Sequence, residues 1–146
     1  MATTIHRVQA EKKSGDLGRE HQLAWQLAKL ATQAKLHALA TASIEMAKNR
    51  IIDNAAIALG AANEHAVLVA RSEAGMLAGS GHATIWGCKE RFHPLAAAFS
   101  NAVAVRFLDN DDTYLAAEYS HPDDNISPIV AIAQQLSVSG EALLRG

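Results

Sequence analysis

Apolar positions recur at helical spacing along most of the chain. From Glu20 onward Leu23, Leu27, Leu30 and Ala31 fall on one face, with Trp25 and Gln26 elsewhere, which predicts an amphipathic helix. A second segment, from about Ser43 to Gly60, carries Ile44, Ala47, Ile51, Ile52, Ala55, Ala56 and Leu59 at the same period, and Gly60 is placed to stop it. Glu64 to Leu77 predicts a third, with Val67, Leu68, Ala70 and Ala74. Before Glu20 the chain is polar and aperiodic. Residues 1–19 are therefore expected to form a loose N-terminal arm, and residues 20–146 an all-helical domain.

The middle of the chain breaks the period. In Gly79-Ser-Gly-His-Ala-Thr-Ile-Trp-Gly-Cys, glycines bracket a short β-prone run, residues 83–86, which reads as a loop or an isolated strand. His93-Pro94 then marks a helix entry, because proline is tolerated at the first helical position. The helix from Pro94 to about Asp109 is apolar nearly all round, the pattern of a buried helix. Ser127-Pro128 repeats the entry signal ahead of Ile129, Ile132, Ala133 and Leu136, and Ser139 opens a further helix. The fold class expected is all-α, a helical bundle with one short strand near 83–86 as the exception.

Composition narrows the class. Thirty of the 146 residues are alanine, which suits close helix approach. Apolar content of 49% with a net charge of -2 argues against disorder, and a single Cys cannot build a disulfide scaffold. No apolar run approaches the roughly 18 residues of a membrane span. The first residues lack a basic stretch followed by an apolar core. A soluble, cytoplasmic domain without a membrane or nucleic-acid partner is expected. Cys88 has no local base and reads as an inert core or loop residue, while His82 and His93 read as exposed or capping groups.

Charge distribution says more than net charge. Asp109, Asp111, Asp112, Glu118, Asp123 and Asp124 place six of the fifteen acids within sixteen residues, and no Lys or Arg occurs between Arg106 and Arg145. Local sequence thus offers these acids no cation, and a solvated acidic loop is the plain reading. Three residues point instead to a site. At about 100° per residue, Asp109 shares a sector with Ala98, Ala102 and Val105, and a carboxylate on a buried face is costly unless paired. If the helix continues one more turn, the Thr113 hydroxyl lies above Asp109. His121-Pro122 follows, able to swing its imidazole into the same space. An acid, a hydroxyl and an imidazole at a helix end are the parts of an acid/base site. Spacing alone leaves both readings open. No zinc-finger, His-x-x-x-His or EF-hand spacing is present, so no metal ligand set is assigned.

The same residues carry a resemblance. Phe107-Leu-Asp-Asn-Asp-Asp-Thr-Tyr-Leu-Ala-Ala-Glu-Tyr-Ser-His-Pro-Asp-Asp-Asn-Ile resembles the signature of the MmgE/PrpD family, whose best-known members are 2-methylcitrate dehydratases. Arg50-Ile-Ile-Asp-Asn-Ala-Ala-Ile-Ala-Leu-Gly and Ala97-Ala-Phe-Ser-Asn-Ala-Val-Ala-Val-Arg support it upstream. The spacer between Thr113 and His121 looks like that of the methylcitrate dehydratase branch. Tyr114, where family members often carry Trp, is a mild departure.

The resemblance implies the N-terminal part of the family's helical domain and a hydro-lyase without cofactor or metal, acting on a small tricarboxylate in propionate metabolism. By position in the motif it implies Asp109, Thr113 and His121 as catalytic residues. His121 would transfer the proton, Asp109 would orient or share it, and Thr113 would hold a substrate oxygen. Family members are several times longer, with a second α/β domain, and form homodimers. The chain is therefore expected to be the N-terminal portion of such an enzyme, partnered by its missing C-terminal part and inactive alone. The alternative is a stand-alone helical module that uses its acidic loop to bind a metal or a protein.

Overall fold

A computed structural model describes residues 18–33, 39–110, 112–115, 117 and 119–144. The expected N-terminal arm lies outside these residues except for Gly18 and Arg19. Two compact units divide between Ala38 and Leu39. In the first, a 3₁₀ turn at Arg19–His21 leads into helix α1, Leu23–Gln33. The Arg19 guanidinium sits over the Trp25 ring, 5.2 Å from its centroid, a cation–π contact between the turn and the helix.

The second unit holds helices α2 (Thr41–Gly60), α3 (His65–Gly75), α4 (Pro94–Phe107), α5 (Ile126–Gln135) and α6 (Gly140–Leu144). Strand β1, Ala78–Ala83, lies between α3 and α4, and a hairpin of β2, Tyr114–Leu115, and β3, Tyr119–Ser120, lies between α4 and α5. The mostly helical class read from the sequence is the one observed. Gly60 ends α2 as expected. His93 caps α4 through Nδ1, which accepts from the Leu95 amide at 3.2 Å, with Pro94 at the first helical position. The Ser139 hydroxyl caps α6 by accepting from Ala142 N–H at 3.2 Å. α5 begins earlier than Ser127-Pro128 suggests: a 3₁₀ turn at Pro122–Asn125 runs directly into Ile126. Pro128 is still accommodated, because amides of the first helical turn have no intrahelical partner.

Helix α4 is the centre of this unit, packed against α2, α3, α5 and β1. One core cluster joins Ala96, Ala97, Ala74 and Ala131 to Ile85 and Phe92; another joins Ala104 and Val105 to Ala58, Ala61 and Val67. The apolar residues of α4 predicted burial all round, and the structure corrects this. Ala96, Ala97, Ser100 and Ala104 are buried, while Leu95 and Phe99 are 71% and 59% exposed. Backbones approach most closely over alanine, so the large residues are turned outward.

The extended segment also differs from the expected 83–86. The strand is Ala78–Ala83, and its ends bridge Phe92 on both sides. Gly81 permits this closeness: a Cβ there would stand 2.5 Å from the Phe92 carbonyl oxygen. Beyond Ala83 side chains replace a partner strand. Asn101 of α4 accepts from Trp86 N–H and donates to the Thr84 carbonyl, both at 3.0 Å. Gln134 of α5 accepts from Thr84 N–H at 2.8 Å, and Gln135 from His82 N–H at 2.9 Å. These bonds satisfy backbone groups that a sheet would otherwise serve.

Two buried asparagines should therefore respond oppositely to replacement. Asn101→Leu strands a buried amide and a carbonyl and is expected to cost about 2 kcal/mol, read as a lower urea midpoint at unchanged slope. The Asn54 amide, also buried, has no hydrogen-bond partner among the described residues. Asn54→Leu is expected to leave the midpoint unchanged or raise it.

Candidate functional site

The acidic stretch begins where α4 stops. The helix closes at Phe107 with Leu108 as C-cap, and Asp109 takes a left-handed conformation, φ 49°. Aspartate tolerates that region better than most residues, and the Asp-Asn-Asp-Asp run favours turns over further helix. The helix, expected to reach about Asp109, ends at Phe107, and the further turn that would set Thr113 above Asp109 does not form. The Asp109 side chain is 81% exposed rather than buried on the apolar face, and it meets Arg106 Nη2 at 3.5 Å.

The chain returns through the β2–β3 hairpin, in which Tyr114 pairs with Ser120 and Leu115 with Tyr119. Continued one residue outward, that register sets Thr113 opposite His121. The hairpin, not a shared helical face, is what relates the two positions. Thr113 is exposed and His121 half-buried. His121 Nδ1 lies 2.9 Å from the Asp112 carbonyl oxygen, and the Tyr119 ring stands edge-on to the imidazole at 6.2 Å and 83°.

The acids also have cations, contrary to the expectation from local sequence. Arg50, on α2, pairs through Nε with Asp112 Oδ2 at 3.0 Å. Arg106 reaches Asp124 Oδ1 at 3.7 Å as well as Asp109. These pairs are unequal. The contacts of Arg106 are solvent-exposed and screened, worth a few tenths of a kcal/mol. The Asp112 side chain is only 9% exposed, and its Oδ1 also accepts from Asp123 N–H at 3.2 Å. Asp123 itself is buried.

A cavity of about 260 Å³ adjoins this corner, walled by Ile51 of α2, Ile126 and Ile129 of α5, and Leu143 of α6, with Arg50, Asp112 and Asp123 as its charged residues. Its wall reaches the loop at Asp112, Pro122 and Asp123, the chain neighbours of Thr113 and His121. The arrangement can hold the His121 imidazole in one orientation through the Asp112 carbonyl.

The fold and this corner define a mostly helical domain whose candidate site residues sit on a hairpin-bearing loop. Residues 25–146 match the MmgE/PrpD N-terminal domain, and the chain belongs to that family. Among curated relatives, 2-methylcitrate dehydratase of Escherichia coli (strain K12) is 44% identical over 62 residues, 40% of this chain and 13% of the relative. The Salmonella typhi 2-methylcitrate dehydratase is 44% identical over 55 residues, 38% of this chain and 11% of the relative. A protein of Saccharomyces cerevisiae named probable 2-methylcitrate dehydratase is 42% identical over 53 residues, 36% and 10% respectively. The chain thus covers a small part of the length of these relatives.

Arg50 and the structural role of Asp112 were missed in the sequence. Arg50 opens a segment that carries the family resemblance, yet nothing local links it to a loop three elements away. The unequal burial of the acids gives a direct test. Asp112→Ala should cost about 1–3 kcal/mol, since it leaves Arg50 and the Asp123 amide without their partner. Asp109→Asn, which keeps a residue tolerant of the left-handed region, should change stability by less than about 0.5 kcal/mol. Urea titrations of both variants against the parent chain measure the difference.

Proposed function

We propose that this chain is the N-terminal portion of a 2-methylcitrate dehydratase-like hydro-lyase that acts on a small tricarboxylate in propionate metabolism. It works in the cytoplasm as a homodimer and is inactive without the remainder of the enzyme. The reaction removes a proton next to a carboxylate and expels a β-hydroxyl as water, so it needs a base and an acid. His121 moves the proton, Thr113 hydrogen-bonds a substrate oxygen, and Asp109 orients the substrate or shares its protons. The observation that carries the reading is the His121 ring held 2.9 Å from the Asp112 carbonyl, beside a hairpin whose register, continued one residue outward, would face Thr113 with His121. Family membership and the names of the relatives supply the reaction class.

Charge supports the need for more chain. Arg50 and Arg106 are already engaged by Asp112, Asp109 and Asp124. A trianionic substrate at this corner would therefore draw on cations from elsewhere. The genomic reading frame is expected to continue past Gly146, and its full product to dehydrate 2-methylcitrate. In that product His121→Ala should lower kcat by about 10²–10⁴ with an unchanged circular dichroism spectrum. Turnover by the 146-residue chain alone would refute the incompleteness. Normal turnover in His121→Ala would refute the role of the imidazole.

A further inference from the structure

We infer that Arg50 and Asp112 are positioning residues that hold the His121 imidazole as its Nδ1–H tautomer. The inference builds on the reading of His121 as the proton-transfer group, and its geometry is independent of activity. His121 Nδ1 lies 2.9 Å from the Asp112 carbonyl oxygen. A carbonyl can only accept, so Nδ1 donates, and in the neutral ring the basic lone pair belongs to Nε2. A histidine side chain in water favours the other tautomer, so the loop selects against the default.

Asp112 holds the turn around His121 at two points. Its carbonyl accepts the ring N–H, and its carboxylate accepts from the Asp123 amide, two residues beyond His121, at 3.2 Å. The carboxylate is in turn held by Arg50 Nε at 3.0 Å, with the Asp112 side chain only 9% exposed. Arg50 stands on α2, a twenty-residue helix. The chain of contacts therefore references an otherwise loop-borne carbonyl to a rigid element of the bundle. Without Arg50, the shielded carboxylate of Asp112 would turn toward water to recover solvation, rotating the peptide whose carbonyl fixes the ring. Such support of a reacting imidazole through the hydrogen bond at its other nitrogen is a general device of proton-transfer sites.

The test reads the tautomer directly. Long-range ¹⁵N–¹H correlations of the imidazole rings are recorded on the ¹⁵N-labelled 146-residue chain at alkaline pH, with His121 assigned by the peaks lost in His121→Gln. The parent chain should show His121 as Nδ1–H. Arg50→Met should convert it mainly to Nε2–H, and Arg50→Lys, which keeps a cation within reach of Asp112, should recover the larger part of the Nδ1–H signal. Should Arg50→Met fail to give a folded backbone spectrum, Arg50→Gln keeps the reach without the charge and is read the same way. An Nε2–H ring in the parent, or an Nδ1–H ring that persists without the Arg50 cation, would overturn the proposal. Tautomer conversion combined with normal turnover of His121→Ala in the longer enzyme would sink the proton-transfer role and leave the positioning intact.

Discussion

The closeness with which α4 approaches α2, α3 and α5 governs the rest of the second unit. Alanines make that contact: Ala96, Ala97 and Ala104 face Ala58, Ala61, Ala74 and Ala131 through the two core clusters. Alanine loses no side-chain entropy on burial and lets helical backbones approach, but each one removes little apolar area from water. The larger anchors are Ile85, Val67, Val105 and Phe92, only the last of them aromatic. Close approach also brings Asn101 and Gln134 to the backbone of residues 84–86. That segment is thus held as firmly as a strand without belonging to a sheet.

The acidic loop is a second consequence of the same packing. α2 lies against α4 and α5, so Arg50 arrives where the loop needs a cation. One carboxylate, on Asp112, is spent on structure: it joins α2 to the loop and ties down the Asp123 amide. Asp109 stays in solvent at the end of α4, with a screened contact to Arg106. Within one run of like residues, burial separates an acid that holds the loop from an acid that stays in solvent. The sequence shows the run of charge; only the fold divides the labour.

Legibility followed the range of the interactions. The five longer helices were readable because their apolar spacing and their caps, such as His93-Pro94, lie within a few residues. Even so, α4 was read two residues too long, since an Asp-rich end can continue a helix or break it and the left-handed turn at Asp109 decided. The hairpin was not read at all. Tyr114–Leu115 and Tyr119–Ser120 are two-residue strands, too short for any alternation to show. Asp109, Thr113 and His121 stand out by residue type and by motif, but a helical stacking of Thr113 above Asp109 is ruled out by the turn at Asp109, and a hairpin follows instead.

What the sequence determined by itself was local: helical period, most element ends, an alanine-rich core and a motif specific enough to indicate the family. The tertiary structure decided which apolar residues face inward, because alanine rather than Leu95 or Phe99 permits close packing. It also decided how the loop's acids are neutralised, because Arg50 and Asp112 are far apart in the chain and adjacent only after α2 packs beside α5. A charge pair distant in sequence leaves no local pattern. Its existence depends on where two helices come to rest.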